Sequence, residues 1–201
     1  MHLDLAEIIK TIGYLGVFGI VFAESGLFFG FFLPGDSLLF TAGFLASQGF
    51  LNFPLLVILC IAGAILGDSV GYSFGKKMGQ LLYSKEDSRF FKKAHLDKAN
   101  AFYEKHGGKT IILARFIPFV RTFAPIVAGT ANMTYKKFLS FNIIGGILWG
   151  MGVTTGGYVL GQVIPDADRY LLPIIAAIII VSLAPPVFAY VKNRLHTNRQ
   201  S

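Results

Sequence analysis

The sequence predicts an all-α protein that crosses a membrane several times, and three features lead to this fold class. The chain has 201 residues, of which 54% are hydrophobic, and its mean hydropathy is +0.61. Charged residues make up only 14%, against about 25% in an average soluble domain. The hydrophobic residues are gathered in long blocks, at least three of which reach the roughly 20 residues that a spanning helix needs. The blocks are 12–33, 37–51, 54–75, 111–130, 138–164 and 170–191.

The length suits a single membrane domain over 1–201. We expect no cleavable signal peptide. Asp4 and Glu7 do not fit its positively charged first region, and the first apolar block runs into Glu24 instead of a small-residue cleavage site. The single cysteine, Cys60, cannot form an intramolecular disulfide. No metal site or cofactor is predicted.

The net charge of +7 is concentrated in three clusters between the apolar blocks. The positive-inside rule places all three in the cytoplasm, and anionic lipid headgroups could bind there as well. The clusters are 76–109, with nine Lys/Arg against four Asp/Glu, Lys136–Lys137, and the tail with Lys192, Arg194 and Arg199.

These clusters set a predicted topology. Segment 54–75 runs inward, 138–163 runs outward, and 170–191 returns inward after the outer turn 165–169, so the C-terminus is cytoplasmic. The block 111–130 then begins and ends on the cytoplasmic side, and it must enter the membrane and return.

Prolines supply the predicted hairpin breaks. Proline removes a helical hydrogen bond and clashes with the preceding turn, which makes Pro118 and Pro125 the expected breaks in 111–130. Pro34 and Gly35 interrupt the apolar stretch 16–46 in the same way and predict a second re-entrant hairpin, open to the outer face. A plain transmembrane helix over 12–33 is the alternative. Broken backbone at membrane depth requires burial in protein or a wet cavity.

Two sequence matches predict an internal repeat. Gly-Ala-Ile-Leu at 63–66 matches Gly-Gly-Ile-Leu at 145–148, and Gly-Tyr-Ser-Phe-Gly at 71–75 matches Gly-Tyr-Val-Leu-Gly at 157–161. The two glycine-rich helices run in opposite directions in the predicted topology, so the repeat is inverted, as in many secondary transporters. Small residues also recur by chance where membrane helices pack closely.

The chain therefore divides into four predicted parts. Repeat 1 covers about 12–76, a cytoplasmic amphipathic linker about 77–110, repeat 2 about 111–164, and a C-terminal transmembrane helix about 170–191. Within the linker, 88–108 has the pattern of an amphipathic helix in the membrane interface, ending at Gly107–Gly108.

Five ionisable residues lie inside apolar blocks and are the candidate functional residues. At about 2.5–3.5 kcal/mol for each charge at a helix centre, five unpaired charges would cost roughly 15 kcal/mol, so they must be paired, solvated or protonated. Asp36 could instead cap the helix after Pro-Gly, and Asp68 could be a lone hydrogen-bonded core group. The five are Glu24, Asp36, Asp68, Arg115 and Arg121.

The residue types indicate two tasks. Arg115 and Arg121 stay protonated, and their guanidinium groups suit the oxygens of a phosphate, while the broken helix offers free amide groups to an anion. Glu24 and Asp36 suit proton exchange, because a low-dielectric environment generally raises the pKa of a carboxylic acid toward neutral pH.

At these residues the chain resembles the bacterial DedA family, within the wider group of VTT or SNARE-associated Golgi-protein domains. The resemblance covers about 15–163, and its most distinctive part is Ala-Arg-Phe-Ile-Pro-Phe-Val-Arg at 114–121. It implies two opposed re-entrant hairpins and lipid translocation in the bacterial plasma (inner) membrane, dependent on the proton motive force. It also implies that Glu24 and Asp36 are the essential acidic pair and Arg115 and Arg121 the essential arginines. Asp68 is not in that set and is an additional candidate. The other matching stretches are Glu24 itself, Phe-Leu-Pro-Gly-Asp-Ser-Leu-Leu at 32–39, the remainder of 114–129, 71–75 and 157–161.

We therefore expect a multi-pass, non-enzymatic carrier whose partners are a lipid phosphate, protons and membrane lipids, with no nucleic acid. Undecaprenyl phosphate is the expected substrate and a phospholipid such as phosphatidylethanolamine the alternative. A homo-oligomer is left open. Two other classes remain: an integral lipid phosphatase, disfavoured because all four histidines lie outside the apolar blocks, and a non-transporting assembly factor.

Overall fold

The structure, a computed structural model, describes residues 5–27, 33–83, 101, 103, 105 and 107–164. Every regular element in this part of the chain is a helix, which agrees with the predicted class. The helices are α1 (Leu5–Gly26), α2 (Gly35–Ser47), α3 (Phe53–Tyr83), α4 (Lys109–Ala114), α5 (Pro118–Thr130) and α6 (Tyr135–Val163). The predicted C-terminal helix at 170–191 and most of the linker lie outside the described residues.

Two of the described helices are long and apolar enough to cross a membrane. They span Phe53–Leu81 and Tyr135–Val163, 29 residues each, or about 43 Å of helix against a hydrocarbon core of about 30 Å. Helix α3 also exposes a row of large apolar side chains at helical spacing, as expected of a surface in contact with lipid. The row includes Leu55, Ile58, Leu66, Val70 and Phe74.

The block 111–130 is broken, as predicted. Helix α4 ends at Ala114 and α5 begins at Pro118, where proline fits because the first helical residues have no backbone acceptor for an N–H. The predicted break at Pro125 is wrong, since this residue lies inside α5 and the helix continues to Thr130. Its ring lies beside Gly71 on α3, where a Cβ atom would stand in ordinary van der Waals contact with it.

The apolar stretch 16–46 also consists of two helices. Helix α1 ends at Gly26 and α2 begins at Gly35, so Pro34 and Gly35 lie at the predicted interruption. The alternative of a plain transmembrane helix over 12–33 stays a prediction, with α1 covering Leu5–Gly26.

Near the linker's end, residues 101, 103 and 105 are helical and Gly107 has a positive φ of 66°. This left-handed conformation agrees with the predicted stop at Gly107–Gly108. Tyr103 reaches back to α5, where its hydroxyl donates a hydrogen bond to the carbonyl oxygen of Ala124 over 3.1 Å.

Helices α1 and α2, and likewise α4 and α5, are two helices separated by a break, and each such couple is called a broken pair. The second helix of each broken pair packs on the long helix of the other half. Helix α2 lies along α6 and α5 lies along α3. Gly43 on α2 lies against the carbonyl of Thr154, and Gly129 on α5 lies in the same way against the carbonyl of Tyr72. A side chain at either glycine would overlap the facing backbone, so both helix pairs depend on glycine for their close approach.

The glycines of the long helices repeat this arrangement. Gly157 lies against the carbonyl of Phe40, and Gly75 lies against that of Ile126. The α6 residue lies 82 positions after its α3 counterpart in both sets of contacts (Thr154 and Tyr72, Gly157 and Gly75). The sequence match between 63–66 and 145–148 has the same interval of 82 positions. The match between 71–75 and 157–161 has an interval four residues longer, which is about one helical turn.

Candidate functional site

Three helices bring Glu24, Asp36 and Arg121 together in the protein interior. Glu24 lies in the last turn of α1, Asp36 in the first turn of α2 and Arg121 in the first turn of α5. The guanidinium donates one hydrogen bond from Nη1 to Asp36 Oδ1 over 2.8 Å and a second from Nη2 to Glu24 Oε1. The ends of both broken pairs therefore meet at one ion-paired group.

These three residues differ in their exposure. Glu24 is 1% exposed and Arg121 7%, whereas the side chain of Asp36 is 44% exposed. Asp36 is therefore the most exposed of the three residues. The other carboxylate oxygen of Glu24, Oε2, is buried without a hydrogen-bond partner among the described residues.

Gly35 makes room for the Glu24 carboxylate. A Cβ atom at position 35 would overlap this group, so only glycine allows the start of α2 to approach it. The adjacent Asp36 does not act as an N-cap, because α2 has no side-chain cap bond and the carboxylate faces Arg121 instead. The alternative reading of Asp36 as a cap is therefore wrong.

A second ion pair joins Arg115 to Asp68. Arg115 lies in the break between α4 and α5, Asp68 lies on α3, and their residues are 3% and 5% exposed. Arg115 Nη2 donates to Asp68 Oδ2 and also to Asn142 Oδ1 on α6. The amide of Asn142 in turn donates from Nδ2 to the carbonyl oxygen of Ile65 over 3.0 Å, which fixes its orientation.

Trp149 on α6 contacts both ion-paired groups, Arg115 with Asp68 and Arg121 with its two carboxylates. Its indole Nε1 donates a hydrogen bond of 2.8 Å to Asp36 Oδ1, the oxygen that also accepts from Arg121. Its ring centroid lies 4.8 Å from Cζ of Arg121 and 5.9 Å from Cζ of Arg115, within the range of cation–π attraction. The ring is 2% exposed, so any movement of either guanidinium changes the surroundings of this indole.

All five ionisable residues named from the sequence lie in this site, and the structure adds two that were not named. Asp68 is ion-paired, which excludes the reading of a lone hydrogen-bonded group. Asn142 and Trp149 carry no charge, so the cost of burying a charge did not identify them. A polar amide inside 138–164 and the only tryptophan of the chain were the available signals.

The charges of the site do not balance. Three carboxylates face two guanidinium groups, so the fully ionised cluster carries one excess negative charge. Buried ion pairs offset the cost of desolvation only with good geometry and further hydrogen bonds. The site is therefore suited to bind and release protons, and its cations are suited to anions that can compete with the protein's own carboxylates.

The fold and the site define a helical membrane protein with an ion-paired interior. Comparison with known proteins assigns the family: a family model described as the VTT domain matches residues 33–159. The chain is 46% identical to Protein DedA of Escherichia coli strain K12 over 96% of this chain and 91% of that protein.

Two further relatives are named as membrane proteins. The uncharacterized membrane protein ML0287 of Mycobacterium leprae is 50% identical over 85% of this chain and 76% of its own length. The inner membrane protein YqjA of Escherichia coli K12 is 36% identical over 74% and 68%. No solved structure matches the chain. The chain belongs to the DedA family of VTT-domain membrane proteins, as its resemblance predicted.

Proposed function

We propose that this protein is a translocase that carries a lipid phosphate, undecaprenyl phosphate in the first instance, across the bacterial plasma membrane with the proton motive force. The observation that carries the proposal is a pair of buried arginines. Arg115 lies in the break before α5 and Arg121 lies in the first turn of α5, and carboxylates from the other half of the chain hold both. The name of YqjA, an inner membrane protein, supports the location.

The arginines supply the phosphate contacts. Guanidinium groups bind phosphate oxygens through two parallel hydrogen bonds. In this structure two nitrogens of Arg121 donate one hydrogen bond each to two different carboxylates. It lies in the first turn of the 13-residue helix α5, where the helix dipole favours an anion. The lipid tail would remain against the apolar surfaces of the long helices.

The recurring contacts of the glycines support an inverted repeat. Helix α2 meets α6 as α5 meets α3, through glycines in corresponding positions. Two such halves could rock against each other around a site at their interface, which is how transporters with inverted repeats alternate between their two openings. In this scheme each broken pair is a re-entrant hairpin with its tip at the site.

A vesicle assay tests the proposal. Purified protein is reconstituted with either a fluorescent short-chain polyprenyl phosphate or fluorescent phosphatidylethanolamine, and the movement between leaflets is followed after a pH step. Arg121→Lys keeps the charge but loses the paired bonds, so transport of the polyprenyl phosphate should fall about 10- to 100-fold, as expected for one charge-assisted bond. Lys137→Arg, which changes an exposed cation, is the matched control and should transport normally.

The other outcomes select the alternatives. Movement of phosphatidylethanolamine without polyprenyl phosphate would indicate a phospholipid carrier. Release of free phosphate from the lipid would indicate a phosphatase. An assembly factor would move neither lipid, and variants that neutralise the arginines would still complement a deletion strain.

A further inference from the structure

Asp68 is a buried carboxylate to which the family resemblance assigns no role. It lies on α3, 5% exposed, and its ion pair with Arg115 is separate from the pair that Arg121 makes with Glu24 and Asp36. The site thus contains a second arginine that is occupied by an anion of the protein itself.

Arg115 has neutral partners that can hold it without Asp68. Asn142 accepts a hydrogen bond from the same Nη2 atom and is itself fixed to the backbone of α3 through Ile65. The ring of Trp149 lies 5.9 Å from the guanidinium carbon. The carboxylate of Asp68 could therefore leave while the guanidinium stays in position.

We propose that Asp68 is an exchangeable counter-ion: it occupies Arg115 in the empty protein, and an incoming phosphate displaces it. The displaced carboxylate then takes up a proton from the aqueous phase and becomes a neutral carboxylic acid. This inference rests on the proposed function and assigns Asp68 as the group that links phosphate binding to proton uptake at Arg115.

The charges around Asp68 make proton uptake the expected result. It is faced by Arg115 from the α4–α5 break and by Asn142 from α6, with Arg121 on α5 nearby and paired to Glu24 on α1 and Asp36 on α2. Together with Asp68 itself these groups carry a net charge of −1 when ionised, so a bound phosphate makes the buried cluster still more negative. A carboxylate that has lost its arginine in such surroundings is neutralised rather than left charged.

The test measures proton uptake during ligand binding. Wild-type protein and Asp68→Asn, both in detergent, are titrated calorimetrically with farnesyl phosphate in buffers of different ionisation enthalpy, and with inorganic phosphate as a ligand without a tail. Ser73→Ala changes an exposed hydroxyl on the same helix and is the control. The fluorescence of Trp149, the only tryptophan, reports arrival of the ligand independently.

Wild type should take up about one more proton per bound farnesyl phosphate than Asp68→Asn. The variant should bind the ligand at least as tightly as wild type and with a weaker dependence on pH, because the competing anion is gone. Equal proton uptake in the two proteins, or a tenfold loss of affinity in a folded Asp68→Asn, would overturn the inference and leave the proposed function intact. Absence of farnesyl phosphate binding to wild type would overturn both.

Infrared difference spectra keep the test valid if Asp68→Asn does not fold. Farnesyl phosphate added to wild type should produce the C=O stretching band of a protonated carboxylic acid, and this band should shift in Asp68→Glu. A wild-type difference spectrum with no such band, or a band that is unchanged in Asp68→Glu, would refute the exchange.

Discussion

Gly35→Ala tests the geometry of the site without altering a charge. The new methyl group would overlap the Glu24 carboxylate, so this end of the side chain must shift, and we expect its ion pair with Arg121 to break. Loss of one partner from a buried ion pair costs about 3–5 kcal/mol, and alanine returns about 0.5–1 kcal/mol through its better helix propensity. We expect a net destabilisation of about 2–4 kcal/mol.

The assay is thermal unfolding of the purified protein in detergent, together with the vesicle transport assay. About 2–4 °C per kcal/mol applies to chains of this size, so the apparent Tm should fall by several degrees and transport should be lost. Gly19→Ala on α1, where an added Cβ has no neighbour within 4 Å, is the matched control and should melt at or above the wild-type temperature. A Gly35→Ala protein that melts with wild type and still transports would show that Glu24 does not lie against α2.

Two further predictions address proton coupling and topology. Glu24→Gln should still bind farnesyl phosphate, because both arginines remain, but its transport should respond less steeply to a pH step, because one of the carboxylates that exchange protons is gone; an unchanged response would exclude Glu24 from the coupling and leave it to Asp36 and Asp68. In a Cys60→Ser background, Lys109→Cys and Thr134→Cys should both react with an impermeant maleimide from the cytoplasmic side, and labelling from opposite sides would exclude the second re-entrant hairpin. Position 109 is chosen because it is exposed, whereas a side chain at Gly108 would overlap the ring of Phe141.

The sequence was sufficient to find the charged members of the site because charge in an apolar block is costly wherever it lies. Glu24, Arg115 and Arg121 could not remain unpaired inside such blocks, and the structure pairs each of them. The break at 115–117 could also be predicted, since Pro118 fits the first position of a helix better than its interior.

Other features depended on tertiary packing that a sequence pattern does not contain. Pro125 lies inside α5 and does not end it, with its ring beside Gly71 on α3. The choice of Asp68 as the partner of Arg115 depends on how α3 faces the α4–α5 break. In the sequence Trp149 is one more aromatic residue in a membrane helix. Its role in the site follows only from its contacts with Asp36 and the two guanidinium groups.

The ion pairs divide by sign between the two halves of the chain. All three carboxylates, Glu24, Asp36 and Asp68, come from the half before the linker, and both arginines come from the half after it. Any motion that separates the halves must break these pairs and leave buried charge on both sides, at a cost that neither half can offset alone. A phosphate would neutralise the exposed arginines and protons would neutralise the exposed carboxylates. In the proposed carrier, the halves would separate with lipid phosphate and protons bound together and would resist separation with either one alone, which is the condition for coupling the movement of one to the gradient of the other.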